Sequence, residues 1–473
     1  MNSVSEHLPN IEGRYTVVQY AHDLKRLVTS MKELALVNKA SAFFESASGC
    51  RLHRNPSSKK CKLLPLGSWR RSLKQTDLPP TCQYLVLSDY LDMVGVELRA
   101  TWTQTRKANG DKMQDKVSKT IGPWRAGKFM PLTMRPNSIN SYVLSKVWFR
   151  CSSVDLRVVD IGAMNSSIKS WLYSDMFEKP SEMIMCRPTN YGGLGVHSVK
   201  YRAEACLIRT FMETAANPQF RHSLLHSHLY RYHVLGETSL PNPGFTPYYS
   251  ESFFQMIKQI HDTTPLNVMT MSISQWTRIL TEKGLTMESG LNQHDQRYIP
   301  CRVENLYPQN DWELSWRRCR LKGLSSEMIL FNFKVLHSLL PVKSRIHELS
   351  PSTPAECSLC SLSCPESIHH AFMECPYNDN VISALTRELK KLCTNMKEDD
   401  LLRFTFPELC GDQEFQVMFV VSAFLLEVWS RRLKREKINS YEIRTTIEAR
   451  CNLLRETRYK QPLEQVKEML KNL

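Results

Sequence analysis

Cys357, Cys360, His370 and Cys375 constrain this chain more than any other four residues. Cys357-Ser358-Leu359-Cys360 sets two thiols on one turn; nine residues intervene before His370, and four more before Cys375-Pro376. Soft thiolates and one imidazole at these spacings suit a tetrahedral zinc ion. The tight pair supplies two ligands, and a second short arm brings back the other two. With protein filling all four positions, such a site is structural and closed. The plainer reading is a set of scattered buried cysteines, since the chain carries 15. A Cys-x-x-Cys pair alone would not outweigh it; the pair joined by His and Cys at zinc-finger-like spacing does. Cys364, inside the loop, and His369, beside His370, keep the ligand assignment open.

The surrounding residues carry more. Phe331 to Lys343 reads Phe-Asn-Phe-Lys-Val-Leu-His-Ser-Leu-Leu-Pro-Val-Lys, Glu366-Ser367 lies between the ligand pairs, and His370-Ala371-Phe372 precedes Cys375-Pro376. This resembles the zinc-binding domain that follows the polymerase domain in LINE-type (non-LTR) retrotransposon reverse transcriptases. There a helix ending at Leu-Pro leads into Cys-x-x-Cys, an acidic-Ser/Thr pair, His and Cys-Pro. The resemblance spans roughly 315–380 and implies Cys357, Cys360, His370 and Cys375 as the zinc ligands.

Composition sets the wider limits. A chain of 473 residues can bury a large core and fits two to four domains. No apolar run reaches the ~20 residues that span a bilayer. The longest, Val417 to Leu426, is followed by Glu427 and reads as a buried helix. The N-terminus shows no basic-then-apolar leader pattern. Cysteines without such a leader imply reduced thiols and a nuclear or cytoplasmic protein, with no membrane partner.

The net charge of +15 is unevenly placed. Residues 49–74 hold eight bases and no acid, 75–98 hold four acids and no base, and 99–150 hold eleven bases against Asp111 and Asp115. That places +13 within 49–150. One such run is ordinarily a solvated face; two in one third of the chain favour a polyanion partner. The candidate nucleic-acid contacts are Lys59, Lys60, Lys62, Arg70, Arg71, Arg125, Lys128 and Lys146.

Along the chain, Arg14 to Tyr20 is rich in β-formers, and Leu24 to Thr29 is placed to pair back on it. The connection Tyr20-Ala21-His22-Asp23 is by itself an ordinary hairpin turn. Beside the zinc motif, it resembles the Tyr-x-Asp-Asp polymerase motif, with His22 where the family has a metal-binding Asp and Asp23 at the second acid. Glu33 to Ala47 reads as a helix closed by Ser48-Gly49. Lys60 to Gly67 and Val94-Gly95-Val96 resemble later palm strands, so 14–98 resembles the back half of a palm. Residues 99–180 combine bases with Trp102, Trp124, Trp148 and Trp171, and Ile139 to Trp148 reads as a helix that resembles the thumb. A thumb holds duplex by its backbone and needs these residue types; each Trp taken singly is more often core.

Gly192-Gly193-Leu194-Gly195 lacks the Lys-Ser/Thr of a P-loop and the spacing of a dinucleotide fingerprint. It reads as a turn needing positive φ, and it resembles a turn that recurs after the thumb in the same family. His222, His226, His228 and His233 have no carboxylate or thiol at matching spacing and read as a packed or solvated helix face. Pro241, Pro243, Gly244 and Pro247 mark a linker. Ser326 to Leu339 is the clearest helix, with Ile329, Leu330, Phe333, Leu336 and Leu340 as its apolar face and Pro341 as its stop. Arg431-Arg432-Leu433-Lys434-Arg435 reads as a solvated helix end or a nucleic-acid contact.

The expected fold is mainly α with a small α+β N-terminal part. The resemblance divides it into a partial palm over 1–98, a basic helical thumb and connector over 99–240, a helical linker domain over 241–350, and a zinc-binding domain with C-terminal helices over 351–473. It implies a C-terminal portion of an RNA-directed DNA polymerase, with a template–primer duplex of RNA and DNA as partner. The family's chemistry uses two metal ions held by carboxylates from two palm strands. Mg is expected only if that site were complete. With His22 at an Asp position, and only 21 residues before it, the chain is expected to be catalytically inactive alone. The alternative is a non-enzymatic zinc-containing nucleic-acid-binding or interaction protein derived from such an element.

Overall fold

The computed structural model describes residues 17–20, 23–49, 51–58, 60–126, 130–174, 176–218, 223–240, 249–264, 267–288, 304, 309–407, 409, 411–436, 438–453 and 460–471. Helices dominate, and the strands are short pairs near the N-terminus. The residues gather into two compact units. One comprises 1–116, 146–162 and 202–277; the other comprises 117–145, 163–201 and 278–473. No described helix is long and apolar enough to cross a membrane.

The first unit opens with the hairpin β1 (Val17–Tyr20) and β2 (Asp23–Arg26), antiparallel with Tyr20 opposite Asp23. The helix Met31–Ser48 follows. Ser30 caps it by accepting from the Glu33 backbone N–H, and the Glu33 carboxylate reaches back to the Thr29 N–H at 2.7 Å. Gly49 closes it at φ +71, where a left-handed residue costs glycine nothing. Leu34, Leu78 and Cys82 form the small core beneath this helix. β3 (Lys62–Leu63) and β4 (Val86–Leu87) pair in parallel, and β5 (Tyr90–Met93) and β6 (Val96–Arg99) form a second hairpin.

The Val94-Gly95-Val96 stretch, expected as strand, is the tip of that hairpin. Val94 and Gly95 both take positive φ, the geometry of a tight two-residue connection, and β6 begins at Val96. Asn109, on the helix Trp102–Ala126, donates to the Glu97 carbonyl and accepts from the Glu97 N–H, so one buried amide satisfies the sheet edge. His226 and His233 of the 222–233 group pack on aromatic rings. His226 sits 3.3 Å from the Tyr249 hydroxyl, and His233 stacks on Phe254 with ring centroids 4.5 Å apart. His222 lies outside the described residues, as does 241–248, which holds the expected linker.

The second unit is built around the helix Gly411–Lys434. Residues 414–426 are buried without a break, so this helix is covered on all sides. The helices Ser326–Leu336, Asp379–Lys390, Ser440–Leu453 and Lys460–Leu470 contribute to the same core. Two polar contacts set its register. Asn332 donates to Ser422 Oγ at 2.9 Å. Glu414 accepts from Arg318 Nε at 2.8 Å and from Arg317, while Arg318 Nη1 satisfies the carbonyls of Phe404 and Phe406.

The helix expected over 326–339 ends earlier, at Leu336. Ser338 turns left-handed at φ +56, ahead of Pro341. The early stop lets His337 reach the Gly192 carbonyl at 2.7 Å and stack on Trp316. Gly192 and Gly195 have φ of +79 and +69, as the sequence pattern required. A Cβ on Gly192 would fall 2.5 Å from the Trp316 ring, and one on Gly193 would overlap the Arg187 carbonyl. Glu304 completes this cluster, accepting from Trp316 Nε1 at 2.7 Å and pairing with Arg187 at 3.2 Å.

Candidate metal centre

The Cys-x-x-Cys loop is a knuckle closed by backbone bonds. The Cys357 N–H donates to the Cys364 carbonyl at 2.9 Å, and the Glu366 N–H donates to the Ala355 carbonyl at 2.8 Å. Ser363 turns the chain at φ +47. The Leu359 N–H points at Cys357 Sγ, 3.4 Å away. The second arm is a π-helical turn, His370–Glu374, of the kind that often marks a functional position. Ser367 Oγ accepts from the His370 N–H at 2.9 Å, and the His370 carbonyl accepts from the Cys375 N–H. Asn378 donates to the Ala371 carbonyl and fixes the start of the next helix.

Together these turns bring one donor atom each from Cys357, Cys360, His370 and Cys375 to within 4.8 Å of one another. Cys357 Sγ and Cys375 Sγ are 4.0 Å apart, and Cys360 Sγ is 3.5 Å from His370 Nε2. Zn–S bonds of about 2.3 Å in a tetrahedron place sulfurs about 3.8 Å apart. The donor set therefore fits a four-coordinate zinc ion.

The neighbours resolve what the sequence left open. His369 turns away from the cluster to Asp399 at 2.8 Å and Glu374 at 3.0 Å. Cys364 Sγ lies 3.2 Å from His370 Nδ1 and 3.7 Å from Nε2, beside the imidazole but outside the group of four. A ligating imidazole usually engages its second nitrogen with such an outer partner.

The electrostatics suit a thiolate site. Burial raises the Cys357 thiol, but the backbone N–H groups of Leu359 and Cys360 and the Arg432 guanidinium outweigh it, and the thiol sits below its ordinary value. Burial pushes the Cys360 and Cys375 thiols up. Burial, then Arg432, holds the His370 imidazole below its usual pKa, in the neutral form that binds metal.

Arg432 is the residue that the sequence pattern misplaces. It is neither a solvated helix end nor a nucleic-acid contact: it is 4% exposed, donates from Nη2 to Cys357 Sγ at 3.1 Å, and from Nε to Glu366 Oε1 at 3.0 Å. Arg431 is engaged as well, with Glu427 and Glu442. A signal was available. Arg432 continues the stripe Leu425, Trp429 at helical spacing on an otherwise buried helix. Glu366, in sequence only part of a motif, links three segments. Its other carboxylate oxygen accepts from the Lys343 N–H, and its carbonyl accepts from Ser344.

The remaining candidates fall elsewhere. Tyr20 and Asp23 are backbone register partners in the first hairpin, while Ala21 and His22 lie outside the described residues. So do Lys59 and Lys128 and the side chain of Arg125. Lys60 is exposed, 3.3 Å from His53 Nε2. Lys62 lies over the Tyr90 ring at 3.8 Å. Arg70 and Arg71 are exposed on the short helix Trp69–Ser72, and Lys146 is half-buried on Ser145–Cys151. Lys60, Lys62, Arg70, Arg71 and Lys146 belong to the first unit and Arg125 to the second.

Residues 298–381 match the family described as zinc-binding in reverse transcriptase. Comparison with curated proteins gives no match. The chain thus carries a reverse-transcriptase-associated zinc-binding domain, and its four-residue cluster lies within the matched segment.

Proposed function

We propose that this chain is the C-terminal portion of a LINE-type (non-LTR) retrotransposon reverse transcriptase that binds RNA–DNA or RNA duplex and does not polymerise DNA by itself. The observation that carries the reading is the Cys3His cluster, at zinc distances, inside a segment matching a reverse-transcriptase zinc-binding domain. Cys357, Cys360, His370 and Cys375 hold one zinc ion, which cross-links two turns and leaves no position open for chemistry. The sequence resemblance supplies the rest: late palm, thumb and connector ahead of the zinc domain, with the basic 49–150 region supplying the phosphate contacts.

Inactivity rests on His22. A neutral or cationic imidazole does not replace the negative oxygen ligand that a hard Mg²⁺ ion requires. This same residue favours the second reading, a non-enzymatic nucleic-acid-binding protein derived from such an element. Three measurements on the purified chain test the proposal. Metal analysis under reducing conditions should find one zinc per chain. A gel shift with primer–template duplex should show binding that weakens with salt. Primer extension with Mg²⁺ or Mn²⁺ should show no incorporation; template-dependent incorporation abolished by Asp23→Ala would overturn the inactivity.

A further inference from the structure

We infer that Arg432 is a positioning residue for the metal centre, and that the metal-binding unit therefore extends through the C-terminal helices well beyond residue 381. The inference rests on the zinc reading above.

Three thiolates, a neutral imidazole and a divalent cation sum to one negative charge. Cys357, Cys375 and His370 are all buried, so much of that charge is out of water. A buried charge is tolerated only beside an opposite one with hydrogen bonds to hold it. Arg432 is the guanidinium in that position. Its side chain is fully inside the protein, and its N–H groups reach a ligand sulfur and the Glu366 carboxylate. The guanidinium also engages Cys375, so its positive charge faces a second ligand sulfur.

Glu366 gives the arginine its orientation. It is buried, bridges Arg432 to the Lys343 backbone, and stands one residue before the Ser367 that caps His370. One fork of donors thus spans both arms of the metal loop and a helix that begins only at Gly411, well past the last ligand. Phe372, between His370 and Cys375, packs on Trp429 of the same helix, with ring centroids 6.0 Å apart. The metal fixes the loop that Arg432 and Trp429 contact, so metal release and loosening of the helix Gly411–Lys434 are linked.

The test uses the full chain carrying Zn²⁺ or Co²⁺, in wild type, Arg432→Met, Arg432→Lys and Glu366→Gln. Arg432→Met keeps the length and apolar stem; it should bind zinc about 10- to 100-fold more weakly in chelator competition, the range of outer-partner changes at metal sites. It should also move the thiolate-to-Co²⁺ charge-transfer band, because the N–H···S bond withdraws charge from Cys357. Arg432→Lys should recover part of the affinity. Glu366→Gln, whose amide oxygen can still accept from Arg432 Nε and so hold the guanidinium on the sulfur, should shift the band little. In wild type, stripping the metal should raise hydrogen exchange in 423–434 as well as in 357–375. Affinity and spectrum both unchanged in Arg432→Met overturn the inference, as does exchange confined to residues before 381. An equal loss in Glu366→Gln also overturns it, by making Arg432 a mere tether for that carboxylate. A wild-type chain with no zinc refutes the proposed function instead.

Discussion

Substituting alanine along Gly192-Gly193-Leu194-Gly195 should separate a conformational penalty from a packing one. Gly195 has φ +69, and a Cβ there would meet only Thr189 Cγ2 at 3.6 Å, an ordinary contact. Gly195→Ala should therefore cost about 1–2 kcal/mol, the left-handed penalty alone. Gly192 has a similar φ, +79, but its Cβ would sit 2.5 Å from the Trp316 ring. That ring cannot simply retreat. It is fully buried, stacks on His337 at 4.6 Å, and donates to Glu304 at 2.7 Å. Adding about 1–3 kcal/mol of overpacking and part of a charge-assisted hydrogen bond gives about 4 kcal/mol for Gly192→Ala. Gly193→Ala should be comparably severe, because the Arg187 carbonyl it displaces also accepts from the Gly195 N–H. With two compact units, one melting temperature is a poor measure. Local opening free energies from hydrogen exchange over 184–198 and 312–338 are the right assay. Equal opening in Gly192→Ala and Gly195→Ala would refute the claim that Trp316 is locked against this turn.

Three further outcomes are expected. Cys360→Ser should lose the zinc and raise exchange over 340–380, whereas Cys364→Ser should retain it; metal analysis decides, and equal losses would mean that Cys364 is a ligand. His337 is pushed down to about 3 by burial, with Arg187 and Arg320 adding to the effect. It stays neutral when folded and takes up a proton on unfolding below about 6.5, so stability is intact above that pH and falls toward pH 3, by up to about 1.4 kcal/mol per pH unit. The difference between wild type and His337→Phe in denaturant melts should therefore shrink on acidification, and a constant difference would exclude the linkage. Charge reversal at Lys59, Lys60, Lys62, Arg70 and Arg71 should lower duplex affinity and reduce the slope of log affinity against log salt by about one unit for each phosphate no longer neutralised; an unchanged slope removes these residues from the interface.

Features whose partners are close in sequence were legible from the sequence. The first helix, read over Glu33 to Ala47 and closed by Ser48-Gly49, runs over Met31–Ser48 with Gly49 left-handed, and the glycine run announced its left-handed residues. The four metal-loop residues were legible because ligand chemistry restricts both type and spacing. What failed depended on distant partners. Pro341 looked like the helix stop, but His337 leaves the helix at Leu336 for a carbonyl 145 residues away. The apolar face read as Ile329, Leu330, Phe333, Leu336 and Leu340 is shifted: Met328, Phe331 and Val335 are buried with Phe333 and Leu336, while Ile329 and Leu330 are only half-buried, because the elements packed on this helix meet it from another side. Arg432 looked solvated because its neighbours are charged. Only the fold shows that the positive charge has a sulfur to face.

The same distinction governs the basic region. Net charge counts every lysine and arginine alike, but a phosphate meets only those without a closer acid. Arg54 pairs with Glu45 at 2.5 Å, Arg106 with Asp155 at 2.8 Å, Lys107 with Asp111 at 2.9 Å and Lys112 with Glu97 at 2.6 Å. Arg99 is held by Glu97 as well. Arg135 is buried, and its guanidinium is spent on the carbonyls of Met130, Trp171 and Leu172. Several of the bases behind the +13 therefore already have partners inside the protein. Exposed pairs such as Lys107–Asp111 hold their lysine by about 1 kcal/mol or less and can yield it to a nucleic acid. Arg135 cannot be released without losing its three hydrogen bonds to carbonyls inside the protein. The salt slope on duplex should accordingly fall well short of thirteen contacts, with Arg70 and Arg71, exposed on their short helix, among the first to supply them.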